Sequence, residues 1–244
     1  MLKNIKKRNI ILLVLGIIIS LIIYNITKYI YDYRKDLDFK EKLKEEIVNI
    51  DSDFLEVDFK KLESINNDVV GYIEIANTDI SYPIVKGSDN SYYLNHSFDK
   101  ENSSNGSIFL DYRNDLDNLS KNNIIYGHGR LDNTMFGSLD NLLEDAWLND
   151  ESNYYIRVTT PNNNMIFKIF SVYTIEKESY YIKTYFSNSK YFKSFLETIM
   201  KRSIFNFGTD VSTNDKVLTL STCKDNFGKR IVVHAKLLKK EETS

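Results

Sequence analysis

The sequence predicts a mainly β domain, an eight-stranded β-barrel with peripheral helices, preceded by an apolar N-terminal helix. Tyrosine and phenylalanine are abundant, 17 and 14 of 244 residues, while glycine and proline number 9 and 2. That balance suits well-packed strands and argues against a disordered or fibrous chain. Beyond Val69 the apolar pattern changes from helical spacing to eight short strand-like runs, a number that suggests a barrel. With about two-fifths hydrophobic residues at this length, the chain can bury one substantial core, or two small ones.

The elements follow in order. Lys3, Lys6, Lys7 and Arg8, with no acid beside them, precede an almost unbroken apolar run from Ile10 to Ile26. A spanning helix needs roughly 17–25 apolar residues, so the run is near the minimum, with Tyr24 and Tyr29 placed to anchor its outer end. A cleaved signal peptide is the alternative. The run lacks a small-x-small cleavage site and continues through Leu21, Ile22, Ile23 and Tyr24, which favours an uncleaved anchor. Residues 1–27 are therefore expected to be a basic flank and transmembrane anchor, single-pass, with the N-terminus cytoplasmic and the domain extracellular. From Lys28 to about Ile50 apolar residues recur at Tyr33, Leu37, Leu43, Ile47 and Ile50. This spacing predicts an amphipathic helix, packed on the domain in preference to a solvated stalk. Asp58 to Ile65 adds a short helix, so residues 28–68 read as a helical linker and residues 69–240 as the domain.

Strands are expected at Val69 to Ile75, Ile80 to Val85, Ser107 to Leu110, Asn123 to Tyr126, Tyr154 to Thr159, Met165 to Ile175, Val217 to Thr222 and Ile231 to Leu238. Two helical segments interrupt them, around Leu139 to Leu143 and from Lys190 to Arg202, the second with Phe192, Phe195, Leu196 and Ile199 on one face. No repeat of fixed period occurs.

Thirty-two lysines and arginines nearly balance 34 acids, giving a formal net charge of −2. No global field draws the chain to nucleic acid. The single cysteine, Cys223, excludes an intramolecular disulfide, and with three scattered histidines it gives no metal-ligand spacing. No phosphate loop or dinucleotide fingerprint is present, and no cofactor is expected.

A lone cysteine is most often a small buried hydrophobe; the surroundings of Cys223 argue otherwise. The run Lys216 to Thr222 ends at the cysteine, and a short polar loop containing Gly228 turns the chain into Arg230-Ile231-Val232-Val233. That outlines an antiparallel hairpin with Cys223 and Arg230 side by side. A neighbouring guanidinium favours thiolate over thiol, and its fixed donors can stabilise an oxyanion. A cysteine nucleophile also needs a proton acceptor, and histidine suits that task near neutral pH. His128 lies in Tyr126-Gly127-His128-Gly129, after an apolar strand, where the glycines would permit a tight loop. His96 sits in a polar loop. His234 lies within a strand on the face of Arg230 and Val232, so spacing alone leaves all three histidines open.

Thr219-Leu220-Ser221-Thr222-Cys223, followed by Arg230-Ile231-Val232-Val233, resembles the sortase signature, in which a Thr-Leu-x-Thr-Cys strand precedes an arginine strand. Ile124-Ile125-Tyr126-Gly127-His128, continuing to Thr134-Met135-Phe136-Gly137, resembles the histidine loop of the class B branch. Tyr92-Tyr93-Leu94 and the run Gly106 to Arg113 are similar to further class B segments, so the resemblance covers nearly the whole chain after Val69. Class A fits less well. The resemblance implies a sortase barrel with Cys223, His128 and Arg230 converging in a groove, and it supplies His128 as the choice among the histidines. It further implies that Asn90, Leu94, Tyr181, Ile182 and Ser221 hold the sorting peptide, and gives Asp225 the position of a proposed acid partner. Gly129-Arg130 departs from many relatives.

What the resemblance implies for function is a membrane-anchored cysteine transpeptidase. Such an enzyme cleaves a C-terminal sorting signal after threonine in a secreted protein and joins the threonine carbonyl to a peptidoglycan amine through a thioacyl-enzyme. Two other readings stand beside it: a membrane-anchored cysteine peptidase using the same residues with water, and a non-catalytic membrane-tethered binding domain in which Cys223 is inert.

Overall fold

The computed structural model describes residues 2–46, 48–49, 54–176, 178–224 and 229–243; residues 2–8, 43–46, 48–49 and 223–224 are described through their backbone alone. The expectations for Ile47, Ile50, Asp225 and Gly228, and for the Leu43 side chain, lie outside what is described. By contact, the chain divides into one compact unit up to Phe39 and a second from Lys40 to Ser244.

The anchor and linker helices expected from the sequence are one continuous helix, α1 (Leu2–Glu46), 45 residues long. Nothing between the two predicted segments breaks it. Asn25 donates its side-chain amide to the Leu21 carbonyl at 2.9 Å, and the Thr27 hydroxyl donates to Ile23 O at 2.5 Å, so the polar groups at the junction are satisfied by the helix itself. The stretch Asn9–Lys42 is long and apolar enough to cross a membrane. The helical spacing expected as far as Ile50 stops at Glu46. A two-residue strand, β1 (Val48–Asn49), pairs instead with β2 (Glu56–Val57), matching Val48 with Val57; this pairing overrides the local period.

α2 (Phe59–Ile65) begins where Asp58 accepts from the Lys61 amide at 3.1 Å and ends at buried Asn66. Its cap satisfies one of the first-turn donors. Eight strands then close a barrel: β3 (Val69–Ile75), β4 (Ser81–Val85), β5 (Phe109–Leu110), β6 (Asn122–Gly129), β7 (Tyr155–Thr159), β8 (Asn163–Ile175), β9 (Val217–Lys224) and β10 (Arg230–Glu242). Around the barrel their order is β10-β8-β7-β3-β4-β5-β6-β9, antiparallel except for the pairs β4–β5 and β6–β9. Closure removes the open edges that would otherwise be available to another chain. Strand alternation fills the interior with Ile73, Ile84, Leu110, Ile125, Ile156, Phe167, Leu218, Leu220, Ile231 and Val233, each at most 2% exposed.

Between β6 and β7 lie a 3₁₀ turn at Gly137–Leu143 and the single-turn α3 (Asp145–Leu148). Between β8 and β9 come a 3₁₀ turn at Tyr180–Ile182 and α4 (Ser189–Arg202). Asn188 caps α4 by accepting from Lys190 N and Tyr191 N at 3.0 and 3.2 Å. Phe192, Phe195, Leu196 and Ile199 form its buried face, as their spacing predicts, and pack with Phe170, Tyr173, Val217 and Val232 on the outer wall of the barrel. This outer cluster is where the barrel wall carries polar side chains.

Candidate active site

The site is built on three adjacent strands. In the parallel pair β6–β9, His128 is the register partner of Cys223. In the antiparallel pair β9–β10 the register runs from Lys236 opposite Val217 to Val232 opposite Ser221, and Arg230 begins β10 two residues before the last of these pairs. The strand that carries Cys223 therefore lies between the histidine strand and the arginine strand, with neighbouring strands roughly 5 Å apart where they pair. Cys223 lies inside β9 and His128 inside β6, where the sequence suggested a strand end and a loop. β6 runs on because the Phe136 amide donates to His128 O at 2.9 Å, carrying the ladder to Gly129, which bridges Met135. Asn133 and Met135, with φ of 61° and 52°, make the return turn. Gly127 is required there: a Cβ would lie 2.9 Å from the Phe136 ring and closer still to Ile108.

His128 is half-buried, and its Nε2 is 2.7 Å from the Leu94 carbonyl oxygen. A carbonyl only accepts, so Nε2 carries the proton in the neutral ring, and Nδ1 is buried. The contact depends on Gly106, whose φ is +61° and whose added Cβ would lie 2.7 Å from Tyr93 O, 2.8 Å from Leu94 O and 2.9 Å from His128 Cδ2. Only glycine lets these three groups approach. His96 stands apart: its ring stacks on Tyr92 at 3.9 Å between centroids, and its Nδ1 bonds Tyr92 O at 2.7 Å.

Arg230 donates from Nη1 to the Tyr181 hydroxyl at 3.2 Å, and that hydroxyl is 2.9 Å from Ser221 Oγ. Tyr181 and Ser221 are buried, so they form the wall beside Arg230, whereas Asn90, Leu94 and Ile182 are half-exposed. Two of these five, Asn90 and Ile182, are held by a polar cluster that sequence reasoning did not single out. Buried Asp111 accepts from Arg113 Nε and Nη2 at 2.8 and 2.7 Å, from Tyr126 OH at 2.9 Å and from Asn90 Nδ2 at 2.9 Å. Arg113 Nη2 also donates to the Ile182 carbonyl at 3.0 Å. Burial pushes the Asp111 carboxyl up, but the hydrogen bonds from Arg113 and Tyr126 and the guanidinium charge outweigh it and hold it below the usual carboxylate range. Its only sequence signal was its place in the run Gly106 to Arg113. The departure at Arg130 is local: its guanidinium pairs with Asp132 at 2.9 Å within the return turn.

Imidazole and guanidinium on the strands flanking a cysteine provide, in kind, a proton-transfer group and an oxyanion donor. A closed barrel bearing this arrangement defines a class of cysteine acyl-transfer enzyme. A model of the sortase domain matches residues 73–238. Sortase B of Staphylococcus aureus is 35% identical over 234 residues, 93% of this chain and 95% of its own, and sortase B of Listeria monocytogenes is 37% identical over 186 residues, 75% of each. Among solved structures, sortase B from Bacillus anthracis in complex with AAEK1 aligns with a TM-score of 0.75 at 36% identity, over 88% of this chain and 99% of that one. A Staphylococcus aureus sortase B–substrate complex aligns at 0.69 and 34% identity, over 88% and 96%. The chain belongs to the sortase family, in its class B branch, and is a sortase-type cysteine transpeptidase.

Proposed function

We propose that this enzyme cleaves a C-terminal sorting signal after threonine in secreted proteins and joins the threonine carbonyl to a peptidoglycan amine, with Cys223 as nucleophile, His128 as acid and base, and Arg230 as oxyanion donor. The observation that carries this reading is the order of three adjacent strands, with Cys223 of β9 in register with His128 of β6, and with β10, which begins at Arg230, on the other side of β9. The Cys223 thiolate attacks the threonine carbonyl carbon, and the guanidinium of Arg230 stabilises the oxyanion. The C–N bond then breaks, and protonated His128 gives its proton to the departing amine, leaving a thioester on Cys223. The acceptor amine attacks that thioester and loses a proton to His128; the C–S bond breaks, an amide forms, and the thiolate returns. The Leu94 carbonyl on Nε2 keeps the imidazole oriented throughout.

Asn90, Leu94 and Ile182 are the groove residues open to the sorting peptide, and Tyr181 and Ser221 act through the wall that holds Arg230. We read residues 1–27 as the anchor, 28–68 as linker and 69–240 as the catalytic domain, at the cell membrane with the N-terminus inside. The basic flank at Lys3, Lys6, Lys7 and Arg8 favours that orientation. Tethering there raises the effective concentration of substrates that pass along the membrane. The test is full-length protein in detergent, incubated with a panel of sorting peptides with and without an amine acceptor. Peptide cut after threonine and joined to the amine is the expected product; cleavage without amine incorporation would replace this reading with a peptidase.

A further inference from the structure

The reaction uses one histidine, yet a second is fully buried in the wall behind it. His234 packs its ring against Phe170, Tyr173 and Phe195, and each ring nitrogen has a polar partner: Tyr173 OH at 2.9 Å from Nε2 and Thr219 Oγ1 at 2.8 Å from Nδ1. Donor counting fixes the direction of every bond. Asn122 Nδ2 lies 2.9 Å from Tyr181 O and 2.8 Å from Lys183 O; carbonyls only accept, so the amide nitrogen must face them and Oδ1 must face inward. The Thr219 hydroxyl, 2.6 Å from that Oδ1, spends its single hydrogen there. His234 Nδ1 must therefore donate to Thr219, Nε2 must accept from Tyr173, and Tyr173, its hydrogen spent, must accept from Tyr180 OH at 2.7 Å. The circuit begins at Tyr180 and ends on the carbonyls of Tyr181 and Lys183. Both ends lie on the same 3₁₀ turn and its C-terminal cap Lys183, and Tyr181 in that turn is the partner of Arg230 and Ser221.

We propose that His234 is a positioning residue for the transpeptidase: with Tyr173, Thr219 and Asn122 it closes a one-way hydrogen-bond circuit that fixes the Tyr180–Lys183 turn, and through the Tyr181 hydroxyl it holds Arg230 in place. This rests on the functional reading above for Arg230, but the circuit itself stands on geometry. The circuit needs a neutral imidazole, because a second ring proton would face Tyr173 where that hydroxyl already donates. Burial pushes His234 down to about 3, which keeps it neutral. Its location in a strand on the Arg230 face thus serves the site without contact with substrate.

The test compares full-length wild type, Tyr173→Phe, Tyr181→Phe and the double variant in detergent. It reads the rate of acyl-enzyme formation with a sorting peptide and hydrogen–deuterium exchange over residues 180–183. Tyr173→Phe is expected to slow acylation roughly five- to tenfold, the scale of one lost buried hydrogen bond, and to speed exchange in the turn. Tyr181→Phe slows acylation similarly, and the double variant is no slower than Tyr181→Phe, because both act through one path. Losses that multiply in the double variant, or unchanged exchange in the turn, would overturn the proposal. Tyr180→Phe, which removes only the half-buried first donor, is expected to change both readouts in the same direction and stands in if Tyr173→Phe does not fold. A wild type that never acylates counts against the functional reading alone, and the exchange readout still decides the circuit.

Discussion

On β9 and β10, Leu218, Leu220, Ile231, Val233 and Ala235 turn into the barrel, while Thr219, Ser221, Val232 and His234 lie against the wall covered by α4 and the Tyr180–Ile182 turn. The first set is wholly apolar. The second is mostly polar, with its hydroxyls and imidazole joined to one another and, through Tyr181, to Arg230. Because side chains alternate along a strand, both sets come from the same segments of chain. Stability and chemistry are thus separated by direction and not by position in the sequence: the inner face holds the strands in register, and that arrangement places the strand of Cys223 between those of His128 and Arg230. Substitutions on the two faces should therefore fail in different ways.

The largest expected effect on the outer face is that of Arg230→Ala, which should lower kcat/KM about 10²–10³-fold, the usual loss for one oxyanion donor. Thermal unfolding followed by circular dichroism should stay close to wild type, since Arg230 is half-buried. A loss of activity explained wholly by unfolding would erase the distinction between the faces. On the inner face, Leu220→Ala should cost about 2–5 kcal/mol of stability in denaturant titration, while the folded fraction keeps near-normal acylation. Catalytic loss in fully folded Leu220→Ala would show that the two faces are not separable.

A smaller and pH-dependent effect is expected at Asp111. Its folded pKa lies below the ordinary 3.8, so its stabilising contribution is fully present above that value and is lost as pH falls through the depressed folded pKa. Asp111→Asn should therefore flatten the acid limb of the stability profile below about pH 4, as read from the thermal midpoint against pH. A limb as steep as that of wild type would assign acid unfolding to other carboxylates.

The period-two runs made the barrel legible: all eight strands fall where alternation placed them, because each buries one face in a common core. Their ends were less legible. His128 was expected in a loop, since flanking glycines signal turns, yet Gly127 serves close packing with Phe136 and Ile108 and the strand continues past it. The two helical segments read separately from the sequence are one helix, in which Asn25 and Thr27 bond back to their own backbone. Cys223 and Arg230 could be singled out because reactive groups ending or starting strands are visible locally, whereas the choice of His128 over His96 and His234 came from the sortase resemblance. The Leu94 carbonyl on His128, the space at Gly106, and the hold of Asn122 on the Tyr180–Lys183 turn join residues 12 to 61 positions apart, and no local pattern announces such contacts.

The central claim is that Cys223 becomes acylated because its strand runs between those of His128 and Arg230. It is tested most directly by intact-mass measurement of full-length protein mixed with a sorting peptide, for wild type, Cys223→Ala, His128→Ala and Arg230→Ala. A thioacyl adduct on wild type, absent from Cys223→Ala and slowed at least about 10²-fold in both other variants, is the predicted result. An adduct that persists in Cys223→Ala, or forms at the wild-type rate without His128 or Arg230, would contradict it.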